Sequence, residues 1–193
     1  MPKLQIEFPI TESNWIKHIE SLQNIEHIIG TKQNITTALK TSIIRDLPKE
    51  PFGILLSGGV DSSIIAKVCK DQETPFRCFC VGIKGSEDLK VAKEISILLD
   101  LELVSKEFEL DEIEQLLMKV IDILPDPIIQ EDNYIEYMVK VSVSAVLLAA
   151  ISLGDEKTFY SGIGAEELFA GYQRHIKSVS ERGTWRGIDI KGL

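Results

Sequence analysis

The chain has 193 residues, three cysteines and a net charge of −9, values that exclude a disulfide-stapled scaffold and weigh against a nucleic-acid binder. Hydrophobic residues make up 44% and charged residues 26%, so one domain with a sizeable core, and at most a short appendage, is expected. No Lys/Arg run offsets the acidity, so no DNA partner is expected.

The N-terminus, MPKLQIEFPI, lacks a basic region followed by an apolar core and does not read as a signal peptide. Trp15, Ile16, Ile19 and Leu22 fall at helical spacing. Residues 1–50 are therefore expected to form a helical N-terminal extension, its second helix over Asn34 to Asp46 and stopped by Pro48 and Pro51.

Phe52 to Leu56 is a short apolar run ending in glycines, the pattern of a buried parallel strand. A helix is predicted from Asp61 to Lys70, a strand from Phe76 to Val81 and a helix from Glu87 to Leu99. Leu103 to Phe108 reads as a third strand. Asp111 and Glu114 have capping-box spacing and open a helix to Leu124. Tyr134 to Leu153 reads as a buried helix capped by Gly154. Its most apolar part, Val141 to Leu153, is too short for a membrane span. Lys157 to Tyr160 is the fourth strand and Ala165 starts another helix. Residues 177–193 read as a tail.

Alternating strands and helices predict βαβ units and a parallel sheet with helices on both faces, a three-layer α/β/α fold. Ligands in such sheets sit beyond the carboxyl ends of the strands, where the turns at Ser57 and Ser161 both fall. Cys78 and Cys80, two apart on one strand, share a face. Their readings are small buried hydrophobes or, less simply, a metal pair. Free thiols suit a reducing, cytoplasmic setting.

Ser57-Gly58-Gly59-Val60-Asp61-Ser62-Ser63 carries the chemistry. Glycines let backbone approach an anion, and the following helix directs free N–H groups and its positive dipole end toward it. Ser57, Ser62 and Ser63 bring hydroxyl donors. A carboxylate beside phosphates is repulsive unless a divalent cation intervenes, so Asp61 reads as a Mg²⁺ ligand. A Walker A loop is excluded, because its lysine is absent. Five fixed residues in S-G-G-x-D-S, each at roughly 6–7% usage, recur by chance on the order of once in a million positions.

S-G-G-x-D-S after an apolar strand resembles the signature of the PP-loop ATP pyrophosphatases, whose fold is adenine nucleotide α-hydrolase-like. Val81-Gly82-Ile83-Lys84-Gly85-Ser86-Glu87-Asp88-Leu89-Lys90 resembles a V-G-x-x-G-S-x-D-L-K segment of asparagine synthetases. Ser161-Gly162-Ile163-Gly164-Ala165-Glu166-Glu167-Leu168-Phe169-Ala170-Gly171-Tyr172 resembles their S-G-E-G-A-D-E-L-F-G-G-Y. Residues 51–176 are thereby identified as an asparagine synthetase-like ATP-binding domain.

The resemblance implies an AMP- and pyrophosphate-forming amide ligase that uses ATP, Mg²⁺ and a small carboxylate such as aspartate. Leu56 and Val81 would lie near adenosine, while Ser57, Gly58, Gly59, Asp61 and Ser62 would hold pyrophosphate. Ser161 and Gly162 would touch ATP near the α-phosphate, and Asp61 and Glu166 would be the catalytic metal ligands. Glu166 and Glu167 also suit a helix N-terminus on dipole grounds alone.

Departures accompany the resemblance. Ile163 stands where the synthetases carry a glutamate that helps deprotonate the amine, and isoleucine takes no proton. In this the chain resembles the eukaryotic asparagine-synthetase-domain-containing proteins. The family's C-terminal lysine-bearing lobe and its glutaminase domain have no counterpart in the sequence, so a separate subunit or a homodimer is expected to supply what is missing. The rival readings are a non-catalytic ATP-binding module and a tRNA-modifying PP-loop enzyme. Arg174 and His175, and the segment Gln130 to Asn133, are secondary candidates for substrate contact, with a surface pair and a helix-capping acidic loop as the plainer readings. His18 and His27 read as surface residues.

Overall fold

The structure is a computed structural model, and it describes residues 13–14, 17, 30–124, 134–169, 171–172, 176–177 and 180–181. Apart from Lys17, the helix expected around Trp15 to Leu22 lies outside the described residues, as do the segment Gln130 to Asn133 and the pair Arg174 and His175. In chain order the elements are α1 (Lys32–Arg45), β1 (Phe52–Leu55), α2 (Val60–Asp71), β2 (Phe76–Ile83), α3 (Glu87–Leu98), β3 (Leu103–Phe108), α4 (Leu110–Ile123), α5 (Tyr134–Ile151), β4 (Phe159–Tyr160) and α6 (Ala165–Phe169). The chain divides into two units, Thr37–Ile163 and a second made of Met1–Thr36 with Gly164–Leu193. The sheet belongs wholly to the first.

The four strands run parallel in the order β3-β2-β1-β4. One sheet face carries Phe52, Ile54, Leu56, Cys78 and Cys80, packed with Ala66, Val68 and Cys69 of α2 and Leu89 and Ala92 of α3. The opposite face carries Phe79 and Phe159, edge-on at 5.4 Å. α5 packs on β2 and takes no part in the first core. It forms a second core with α4 through Val120, Val141 and Ala145. Helices therefore flank the sheet on both sides, the expected three-layer α/β/α arrangement.

The strand order reverses between β1 and β4. Chain progress runs outward from β1 through β2 to β3, then returns across the sheet to β4. In an open α/β sheet this reversal is where loops diverge and leave a crevice at the carboxyl ends.

Gly53 makes that reversal sterically feasible. A Cβ there would lie 2.3 Å from both Cδ1 and Cε1 of Phe159. The Phe159 ring thus crosses the bare backbone of β1 and reaches Phe79, while Gly53 N donates to Thr158 O at 2.9 Å.

Three local readings change. The capping box of α4 is built by Glu109 and Glu112, not Asp111 and Glu114: Glu112 Oε2 accepts from Glu109 N at 3.0 Å. Glu112 also meets Lys106 Nζ at 2.8 Å, a link from β3 that this register gains. α5 ends at Ile151, and Gly154 is not a left-handed cap: a Cβ there would collide with Glu156 Oε2 and the Phe79 ring. Its role is close approach. Finally, α5 is only partly buried. It is long and apolar enough, by length and composition, to cross a membrane, yet 22% of it is buried.

All three cysteines are free and buried, as small hydrophobes. Burial pushes the thiols up to about 11 for Cys69 and Cys80 and about 12 for Cys78. They stay protonated and inert as metal ligands or nucleophiles at neutral pH.

Arg77 Nε donates to Glu156 Oε1 at 2.6 Å, tying β2 to the segment before β4; Glu156 is 6% exposed and Arg77 36%. The guanidinium hydrogen bond holds the Glu156 carboxyl below the usual carboxylate range. The stabilisation is therefore present above the unfolded-state pKa and is lost as pH falls through the lowered folded value. Arg77→Met is expected to lower the melting temperature at pH 7. The deficit should shrink below the ordinary glutamate range, and thermal melts at pH 7 and pH 3.5 would reveal it. An equal deficit at both values would show that packing, not charge, is lost. Independently, Gly53→Ala is expected to cost about 1–3 kcal/mol by overpacking. Adding Phe159→Leu should recover part of that loss, a coupling that a double-mutant cycle of melting temperatures measures.

Candidate functional site

The site begins with the turn after β1. Leu56 N donates to Phe79 O at 2.8 Å, so β1 and β2 stay in register up to the turn. The Leu56 side chain is in the core, 1% exposed, so only its backbone is available to a ligand. Continuing the register two residues past Leu55↔Phe79 sets half-buried Val81 beside Ser57.

Gly58 has φ +80, and a Cβ there would lie 2.7 Å from Val91 Cγ1 and 2.8 Å from Ala92 N. Backbone conformation and the close approach of α3 thus both require glycine. Gly59 is the N-cap of α2, and no side chain caps that helix. The free N–H groups of its first turn and its positive dipole end consequently face outward without a side-chain acceptor, the arrangement that receives an anion.

The serines tighten the turn. Ser57 Oγ accepts from Gly59 N at 3.3 Å and lies 3.2 Å from Ser62 Oγ. The Ser62 and Ser63 hydroxyls both donate to Gly59 O, at 3.2 and 2.7 Å. Ser62 is 3% exposed. The hydroxyls of Ser62 and Ser63 are thus spent on loop backbone, which leaves the backbone N–H groups as the available donors. Composition could not reveal this division, because serines as donors to ligand and as donors to the loop look alike in sequence.

Asp61 is half-buried in the first turn of α2, and its carboxylate has no hydrogen-bond or ion-pair partner among the described residues. A lone carboxylate at an anion-receiving helix end fits Mg²⁺, which takes one or two carboxylates and completes its shell with phosphate oxygens and water. Among the described residues no cluster of three metal-ligating side chains occurs.

The turn after β4 meets this one directly. A Cβ at Gly162 would lie 3.0 Å from Asp61 Cβ and 3.2 Å from Ser62 N. Ser161 Oγ accepts from Ile163 N at 3.3 Å and holds the turn closed. The structure therefore brings Ser57, Gly58, Gly59, Asp61, Ser62, Ser161 and Gly162 together at the reversal of strand order. Glu166 lies in the second unit, exposed in the first turn of α6, with its carbonyl accepting from Gly171 N at 2.8 Å.

Comparison with known proteins agrees with the motif blocks. The asparagine synthase family profile matches residues 34–191. The chain is 35% identical over 158 residues to a putative asparagine synthetase (glutamine-hydrolysing) of Methanocaldococcus jannaschii, covering 79% of this chain and 27% of that protein. It is 34% identical over 161 residues to asparagine synthetase (glutamine-hydrolysing) 1 of Arabidopsis thaliana, covering 77% and 26%. The chain thus spans about a quarter of the length of the curated relatives it matches. A solved ammonia-dependent NAD synthetase of Campylobacter jejuni aligns with TM-score 0.49 and 20% identity over 74% of this chain and 61% of that one. On the extent of the profile match and the identity to these relatives, the chain belongs to the asparagine synthase family.

Proposed function

We propose that this chain is the ATP-binding and adenylating part of an AMP-forming amide ligase. The carrying observation is the contact of two glycine turns, with Asp61 between them and the N-terminus of α2 uncapped by any side chain. The nucleotide work is assigned to residues 51–176. ATP lies with its adenosine against the backbone of Leu56 and against Val81. Its pyrophosphate rests on Ser57, Gly58, Gly59 and Ser62, and its α-phosphate by Ser161 and Gly162. Asp61 would hold Mg²⁺, which would supply charge neutralisation on the departing pyrophosphate, and the family resemblance alone assigns Glu166 the part of a second ligand.

A carboxylate, aspartate in the reading that the relatives' names support, attacks the α-phosphorus. One carboxylate oxygen–phosphorus bond forms, the bond to the β-phosphate oxygen breaks, and pyrophosphate leaves with the electron pair. Backbone N–H groups at the helix end are already oriented toward that charge, so little reorganisation accompanies it. The acyl-adenylate then passes to ammonia or another amine.

A second reading, a nucleotide-binding subunit that acts with a partner chain, draws on the exposed apolar residues of α5, among them Ile135, 77% exposed, and Val146, 57% exposed. Pyrophosphate release from ATP-Mg²⁺, with and without aspartate, separates the two. Carboxylate-dependent release is expected, and Asp61→Asn should lower it on the order of 100-fold. Release that survives Asp61→Asn unchanged would remove the turn from the chemistry. ATP binding by calorimetry without any release would favour the subunit reading.

A further inference from the structure

The second glycine turn hangs on a very short strand. β4 pairs with β1 at two positions, Gly53↔Phe159 and Ile54↔Tyr160. Tyr160 is followed at once by Ser161 and Gly162, and Gly162 lies against Asp61 and Ser62. With so few ladder bonds, side chains must hold the end of the strand.

Tyr160 holds it in two ways. Its ring packs against the first core and meets Phe52 edge-on at 5.5 Å. Its hydroxyl donates to Asp46 O at 2.5 Å, a link across 114 residues. Asp46 stands one residue past α1, where carbonyls lack partners within the helix. The acceptor is itself anchored. Ile43, 8% exposed, sits in the first core, Leu47 packs beside it, and Asp46 N donates to Ile43 O at 3.3 Å. Strand end, ring and acceptor all belong to the unit Thr37–Ile163. Burial first, then Cys69 and Asp46, push the phenol above its ordinary range, so the donor proton is kept at neutral pH. The ring alone carries the core contacts, and phenylalanine would supply them; the hydroxyl adds a fixed direction. The other side-chain links of this segment lie earlier in the chain, Phe159 across Gly53 and Glu156 with Arg77.

We propose that Tyr160 is a positioning residue: by tying the end of β4 to the carbonyl of Asp46, it sets the Ser161–Gly162 turn against the Ser57–Gly59 turn as the reaction requires. The inference rests on the adenylation reading above, in which the second turn meets the α-phosphate. Tyr160 acts through Ser161 and Gly162, not on the nucleotide itself. The pyrophosphate is received by the first turn and the N-terminus of α2, which this tether does not hold. Loosening β4 therefore leaves ATP bound and misaligns the attack at phosphorus, where a shift of about 1 Å can cost up to about 100-fold.

The test compares Tyr160→Phe, which removes the hydroxyl and keeps the ring, with Lys70→Met. Lys70 lies in the last turn of α2, at the far end from the glycine turn, and donates to Asp100 O at 2.6 Å and Oδ2 at 2.9 Å. Its removal is a matched loss of tertiary hydrogen bonds. Two quantities are measured: hydrogen exchange of the amides of residues 161–163 and of residues 59–63, and pyrophosphate release from ATP-Mg²⁺ with aspartate. In Tyr160→Phe, exchange at 161–163 should rise about tenfold while 59–63 stays unchanged. Its kcat should fall about tenfold, with KM for ATP within about twofold of the wild type. Lys70→Met should change none of these. Unchanged exchange at 161–163 in Tyr160→Phe overturns the inference. So does an equal fall in kcat in both variants, which is a loss of stability, or a raised KM at constant kcat, which is a loss of binding. No pyrophosphate release by the wild type with any carboxylate overturns the adenylation reading and the catalytic part of this inference, while exchange still decides whether Tyr160 holds the turn.

Discussion

The site depends on one missing side chain. β4 pairs with β1 over only two register positions, Gly53↔Phe159 and Ile54↔Tyr160. The Phe159 ring occupies the space that any Cβ at position 53 would need. That ring is gripped from the far side by Phe79 of β2, so three strands share one packing unit. On the other face Tyr160 meets Phe52 edge-on at 5.5 Å and Phe52 stacks on Phe76 at 5.7 Å. The short strand is thus held on both sides by aromatic contacts rather than by a long ladder. The turns that leave the two strands, Ser57–Gly59 after β1 and Ser161–Gly162 after β4, arrive at one place because this pairing sets their level.

Electrostatics then decides what such a place can hold. The chain carries −9 overall, which by itself repels a nucleotide. Local dipoles oppose that field. The uncapped start of α2 and the left-handed Gly58 turn bring several N–H groups outward. Asp61 adds a negative charge in the same turn. On the proposed function, that charge would favour a metal-bound nucleotide over the free one, because a cation would lie between carboxylate and phosphate.

Much of this was legible in the sequence because it is encoded locally. S-G-G-x-D-S combines conformational need with chemistry: a Cβ at position 58 would collide with α3, and one at position 162 would be tightly packed against Asp61 and Ser62. The strands at Phe52, Phe76 and Leu103 are runs whose composition leaves few alternatives. Other features were not legible because they depend on partners far along the chain. Glu109 and Glu112 won the capping box over Asp111 and Glu114 because Lys106 on β3 reaches Glu112. Gly154 looked like a helix cap, yet it is glycine because Phe79, 75 residues earlier, passes over it. Nor could the sequence divide the serine hydroxyls between ligand and loop, since that choice is made by the position of Gly59 O.

α5 exposes the limit of pattern reading most clearly. Its apolar residues cover more than one helical stripe. Val141, Ala145 and Ala149 are buried, and they lie on one side at 4-residue spacing. Ile135, Val139, Val143 and Val146 lie on another side, and all four are exposed. A helix of a globular protein needs one apolar stripe to pack on its core, and a second implies a second surface to meet. Periodicity in sequence reports only that side chains are apolar, not how many surfaces they serve, which is why the helix reads as wholly buried until its neighbours are placed. The apolar excess of α5 is therefore a case of a general ambiguity: the same residue type marks a core or an interface, and only the atoms around it decide between them.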